Sequence, residues 1–196
     1  MDIIRTKEVF LEGQLLLIDK PLTWTSFQVV NKMRWAIRKE FDIKKIKVGH
    51  AGTLDPLATG LMLICTGRMT KQIAQFMGMH KTYTGSFRLG ATTPSYDLET
   101  SVSDPKPTDH ISAAMLEEVR AGFLGNIQQK PPIYAAIKKD GKRLYTLARA
   151  GKTIEIPSRE VQITDFELTD VNMPDVSFSV SCSKGTYIRS LAHDFG

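Results

Sequence analysis

The chain has 196 residues, 42% hydrophobic and 24% charged, with a formal net charge of +5. That is the composition of an ordinary globular protein, which leaves out the disordered and collagen-like classes. No apolar run reaches the roughly 18 residues that a membrane-spanning helix needs, and a modest positive excess points only weakly to an anionic partner.

The N-terminal stretch "MDIIRTKEVFLEG" lacks the basic-then-apolar order of a signal peptide, so a cytoplasmic protein is expected. "GQLLLIDKP" (13–21) is an apolar run stopped by Pro21 and predicts a buried strand. Thr25 or Ser26 can cap a helix through "TSFQVVNKMRWAIRKEF", where Val30, Met33 and Ile37 recur at helical spacing. "GLMLIC" (60–65) predicts a second buried strand, and "RMTKQIAQFM" a helix with Ile73, Phe76 and Met77 on one face. "KTYTGSFRLG" (81–90) alternates, with Tyr83, Gly85, Phe87 and Leu89 on one side, as a half-buried strand does. Residues 92–108 form a polar loop long enough to be functional, and a helix is expected over about 112–122. Asp140-Gly141 signals a tight turn, followed by a short helix from Leu144 to Ala150 that Gly151 ends. Strands over 160–171 and 175–183 and a helix from near Tyr187 complete the chain. Irregular alternation with hairpin-length late connections predicts an α+β fold, with a mixed, largely antiparallel central sheet flanked by helices.

Cys65 and Cys182 lie in apolar contexts without Cys-x-x-Cys spacing and read as buried thiols of a reducing compartment. His50, His80, His110 and His193 are scattered and predict no metal site. From Lys130 to Lys152 seven Lys or Arg face one acid, Asp140. A solvated loop would explain a random basic run. Tyr134, Tyr145 and a Pro-Pro turn within it suit a segment that grips nucleic acid.

The most unusual stretch is "VGHAGTLDPLATGLMLICTG", whose one formal charge is Asp55. An unpaired charge among aliphatics is costly. Pro56 biases Asp55 toward an extended or turn conformation, and Gly49, Gly52 and Gly60 allow close backbone approach. Asp55 is either a turn cap before a strand or an acid kept ionised for chemistry. No Gly-Lys-Ser/Thr follows the glycines, so this is not a P-loop.

"GHAGTLDPLATG" with "LMLICTGRMTK" resembles the catalytic motif of the TruB-type tRNA pseudouridine-55 synthases. "DKPLTWTSF", "HKTYTGSFRLGATT", "QKPPIYAAIKKDGKRLYTLARAG" and "SCSKGTYIRSLAHDFG" resemble that family's other motifs, in the family's order. The resemblance implies the pseudouridine synthase catalytic fold over 1–196, with an RNA-gripping thumb inserted at about 127–155. It makes Asp55 the catalytic residue, Tyr83 the tyrosine beside the reacting base and Arg189 the guanidinium partner of the aspartate. It places His50, Lys71, Asp97, Lys130, Lys138, Lys139, Lys142 and Arg143 on RNA, and leaves Lys20 a structural role. No metal or cofactor is implied, and the expected partner is the T stem-loop of tRNA, met by a monomer. The chain departs from the pattern at Thr23, where the family usually has glycine. It also ends at Gly196, where family members continue, so a C-terminal extension or small RNA-binding domain is expected to be absent.

Such an enzyme breaks the bond between uracil N1 and ribose C1′, turns the base and rejoins it through C5. A carboxylate can attack C1′ or remove the C2′ proton, and the sequence leaves both routes open. Either route wants Asp55 ionised, which a bidentate, permanently charged Arg189 favours. A non-catalytic tRNA-binding module and an N-glycosidase are the competing readings.

Overall fold

Side-chain caps decide where the first helices begin. In the computed structural model, which describes residues 6–135 and 156–196 and the backbone of 138–139 and 142–143, Thr6 caps α1 (Lys7–Glu12) by accepting from the Val9 amide. Thr25 starts α2 (Ser26–Glu40) through a reciprocal capping box with Gln28. The chain divides into two units, Met1–Met79 and His80–Gly196.

In the first unit, β1 (Leu15–Lys20), β2 (Val48–His50) and β3 (Gly60–Thr66) form an antiparallel sheet of order β1-β3-β2, with Leu17 opposite Leu63 and Gly49 opposite Cys65. Val29, Val30 and Ile37 of α2 bury against Val48, Met62 and Ile64, with Met33 partly covered. Each such aliphatic burial contributes about 1.5–3 kcal/mol. The expected helix after β3 divides into a 3-10 stretch, Gly67–Gln72, and a short α3, Ile73–Met77. Ile73 and Phe76 are half-buried, but Met77 is 47% exposed. All three lie within α3, and Met77 is its last residue.

The second unit is built on a four-stranded antiparallel sheet of order β4-β9-β8-β5. Its strands are β4 (Lys81–Arg88), β5 (Gly125–Gln129), β8 (Arg159–Asn172) and β9 (Asp175–Cys182). Between β5 and β8, Lys138–Lys139 (β6) pairs with Lys142–Arg143 (β7) as a two-residue antiparallel ladder. The expected Asp140-Gly141 turn and the helix from Leu144 to Ala150 lie outside the described residues. Helix α4 (Ala113–Gly122) is capped by Ser112, and α5 (Ile188–Phe195) is the last element. Phe87, Phe166, Phe178, Val176, Val180, Leu191 and Phe195 make the core, with Phe195 and Phe87 centroids 4.7 Å apart. Alternation in β4 follows the expected faces at Tyr83, Phe87 and Leu89, while Gly85 leaves room for the Phe178 ring, which a Cβ there would meet at 3.2 Å.

The α+β class, with largely antiparallel sheets flanked by helices, is as the sequence predicted. Residues 92–108 contain no helix or strand, yet they are tied down by Ser103 N–H to the Thr92 carbonyl and Lys106 N–H to the Gly90 carbonyl. No helix among the described residues is long and apolar enough to cross a membrane.

Candidate active site

The loop after β2 carries Asp55 and is held from four directions. The Ala51 amide donates to the Leu63 carbonyl at 2.9 Å, extending the ladder one residue past His50. His50 Nδ1 lies 2.6 Å from the Gly52 carbonyl. A carbonyl only accepts, so Nδ1 carries the proton, and in the neutral ring Nε2 is left as an acceptor. Gly52 has φ of 138°, a conformation that favours glycine. Ser26, buried at the start of α2, clamps Leu54 by donating to its carbonyl at 3.0 Å and accepting from its amide at 2.9 Å. The Thr23 amide donates to the Pro56 carbonyl at 2.8 Å, and Ala58 N–H closes a turn on the Asp55 carbonyl at 3.1 Å.

A further tie is Lys20, the last residue of β1, whose relative exposure is 0%. Its Nζ donates to the carbonyls of Trp24 at 2.7 Å, Pro21 at 3.0 Å and Pro56 at 3.4 Å. Burial pushes its pKa below the usual lysine value, and Asp55 opposes that shift electrostatically. The half-buried Asp55 therefore has a cation acting on it from its own unit. The expected structural role of Lys20 is real, and it is tied to the acid as well as to the loop.

In the second unit Arg189 sits in the first turn of α5. Its Nη1 donates to the Ser95 carbonyl at 2.9 Å, and its Nε lies 3.6 Å from Asp97 Oδ2, with both side chains largely buried. Asp97, expected on RNA, is thus an ionic partner of Arg189, and it also accepts from the Glu99 amide at 2.9 Å. Helix α5 starts at Tyr187 without a side-chain cap. Gln129 anchors that residue's backbone instead: buried at the end of β5, it donates to the Tyr187 carbonyl at 3.0 Å and accepts from its amide at 2.7 Å. Ser190 adds a bond to the Lys130 carbonyl at 2.7 Å. Tyr83, half-buried on β4 opposite Val180, packs partly against the core.

The basic residues are distributed. Lys71 lines a cavity of about 310 Å³ with Lys45, Lys47 and Arg68, all within the first unit. Lys130 is exposed just after β5. The backbones of Lys138, Lys139, Lys142 and Arg143 pair in the β6–β7 ladder. Burial pushes the Cys65 and Cys182 thiols above their usual value, as expected of inert buried thiols. No three His, Cys, Asp or Glu side chains cluster as a metal site among the described residues.

Sequence reasoning did not find Ser26, Gln129 or the electrostatic part of Lys20. One signal existed for Lys20: a lysine closing the apolar strand "LLLIDK" has to meet its donors' needs inside the protein.

Solved structures define the class. A Cbf5-Nop10-Gar1 complex matches 95% of this chain and 44% of its own, at 25% identity and a TM-score of 0.67. An H/ACA RNP bound to a substrate RNA containing 2′-deoxyuridine matches at 22% identity and a TM-score of 0.64. The fold is that of the Cbf5/TruB-type pseudouridine synthases. The family follows from sequence. The N-terminal domain of the TruB family pseudouridylate synthases matches residues 38–188. The tRNA pseudouridine synthase B of Flavobacterium johnsoniae is 59% identical over 192 residues, covering 97% of this chain and 84% of the relative. That of Phocaeicola vulgatus is 52% identical over 187 residues, covering 95% and 80%. The chain belongs to the TruB family of pseudouridine synthases, which are isomerases.

Proposed function

We propose that the protein isomerises uridine to pseudouridine at position 55, in the T-loop of tRNA, in the cytoplasm and as a monomer, over a single catalytic domain with the thumb at about 127–155. The observation that carries this is the Asp55 loop: a family-matching string in which Lys20, Ser26, Thr23 and Ala51 fix the backbone around one half-buried carboxylate. A loop held so firmly around its carboxylate is suited to a reaction whose geometry has to be prepared before substrate arrives.

Asp55 acts at the ribose, attacking C1′ or taking the C2′ proton, and the N1–C1′ bond breaks. Uracil turns and C5 bonds to C1′, displacing the Asp55 carboxylate on the first route, while on the second Asp55 returns the proton to C2′; the C5 proton leaves and N1 gains one, so nothing is consumed. Arg189, oriented by Asp97 and the Ser95 carbonyl, is the cation that the family's motif pairs with the catalytic carboxylate. Flipping the uridine out of its stack costs a few kcal/mol, and stacking on Tyr83 returns about 1–3 kcal/mol, so the two roughly offset. His50 stacks within the opened T-loop. Lys71, Lys130 and the ladder residues Lys138, Lys139, Lys142 and Arg143 meet backbone phosphates.

The test is a map of the product. Unmodified tRNA transcript incubated with the protein is expected to gain one pseudouridine, at position 55, detected by carbodiimide-dependent reverse-transcription stops. Modification elsewhere, or free uracil in the supernatant, contradicts the proposal.

A further inference from the structure

Helix α5 holds the loop around residues 93–100 at two successive turns. One grip is Arg189, on the Ser95 carbonyl and on Asp97. The second lies four residues on, along the same helix face. There the His193 imidazole lies flat on the Tyr96 ring, with centroids 3.8 Å apart and planes inclined by 9°. The stack falls on the loop residue between the two that Arg189 holds.

Tyr96 takes part at a conformational cost. Its φ is 61°, in the left-handed region that bulky residues rarely adopt. Such a backbone persists where its surroundings over-determine it. The loop supplies some of that: fully buried Ser95 bonds to Thr100 through its amide at 3.1 Å and its hydroxyl at 2.7 Å, and the Thr93 hydroxyl donates to the Asp97 carbonyl at 2.7 Å. Those bonds fix the loop upon itself. The ring stack fixes it upon α5, beside the guanidinium.

We propose that the Tyr96–His193 stack is a positioning device for Arg189: it seats the loop on α5 so that Asp97 and the Ser95 carbonyl hold the guanidinium in its working orientation. The inference rests on Arg189 serving the active site as described above. Neither ring is asked to touch substrate.

The test is single-turnover pseudouridine formation on pre-bound tRNA, with tRNA affinity and thermal midpoint measured alongside. The variants are His193→Ala, His193→Phe, Tyr96→Gly (which suits the backbone but removes the ring) and the His193→Ala/Tyr96→Gly double. His193→Ala and Tyr96→Gly are each expected to slow the reaction about three- to tenfold, the span an ordinary aromatic pair accounts for, with affinity unchanged. His193→Phe restores the rate, and the double variant is no slower than the slower single one. A wild-type rate in His193→Ala overturns the inference. So does a loss that phenylalanine fails to restore, a loss confined to affinity, or one that compounds in the double variant. If wild type makes no pseudouridine, or Arg189→Ala leaves its rate intact, the active-site reading itself has failed. If both behave as proposed while His193→Ala is fully active, only the stack's role falls.

Discussion

Replacing Lys20 with methionine removes an ammonium that three backbone carbonyls share. The bonds to Trp24 at 2.7 Å and Pro21 at 3.0 Å are well formed, and the one to Pro56 at 3.4 Å is marginal. A hydrogen bond to a charged group contributes about 1.5–3 kcal/mol, so the two good ones contribute about 3–6 kcal/mol. Sparing an ammonium its burial and covering a thioether instead offsets roughly half of that. The expected net loss is about 2–3 kcal/mol, or a fall of about 1 M in the urea midpoint. Both tryptophans, Trp24 and Trp35, belong to the first unit, so intrinsic fluorescence reads its unfolding directly. The same lysine reaches Pro56 beside Asp55, the proposed catalytic acid, and a misplacement of about 1 Å at a reacting group costs roughly a hundredfold. Lys20→Met is therefore expected to cut single-turnover pseudouridine formation about a hundredfold while tRNA still binds. A variant with the wild-type urea midpoint and the wild-type rate would refute the reasoning.

Three more predictions follow from the same geometry. Thr23 holds φ of 70°; a left-handed non-glycine residue costs about 1–2 kcal/mol and glycine's extra chain entropy about 0.5–1 kcal/mol, so Thr23→Gly should be neutral to about 1 kcal/mol stabilising in urea. Because burial lowers the Lys20 pKa in the fold, the unfolded chain holds that proton more tightly. The charge penalty is full below the folded value and is relieved as pH rises through it toward 10.5. The stability of wild type relative to Lys20→Met should accordingly grow over that alkaline window, and a flat difference would contradict it. Neutralising Lys138, Lys139, Lys142 and Arg143 to glutamine should flatten the log-salt slope of tRNA binding by about 0.7–0.9 per lost phosphate contact, leaving the rate on bound tRNA intact. An unchanged slope returns the segment to a solvated surface.

Elements whose local pattern and tertiary setting agree were readable in advance. The alternation of β4, the long β8–β9 hairpin and the capped amphipathic α2 announce themselves over eight or more residues each. The short elements do not. Helix α1 has six residues and buries none, β2 has three, and β5 reads "GNIQQ", too polar to look like a strand until β8 supplies its partner. At the site, the motif residues were legible because they are contiguous strings, whereas their supports are not. Arg189 meets Ser95 across 94 positions, and Gln129 meets Tyr187 across 58. No periodicity encodes such contacts. Thr23 is the instructive case: a departure visible in the string becomes a left-handed residue whose amide holds Pro56, so the usual glycine there has a backbone reason.

The proposed reaction turns on Asp55 as the group that breaks the glycosidic bond. Tritium release from tRNA labelled at uracil C5, under single-turnover conditions with enzyme in excess, measures it most directly. Wild type should release about one tritium per tRNA, while Asp55→Asn binds the same tRNA with comparable affinity and releases none. Release by Asp55→Asn at the wild-type rate, or tight binding by both proteins without release by either, would contradict it.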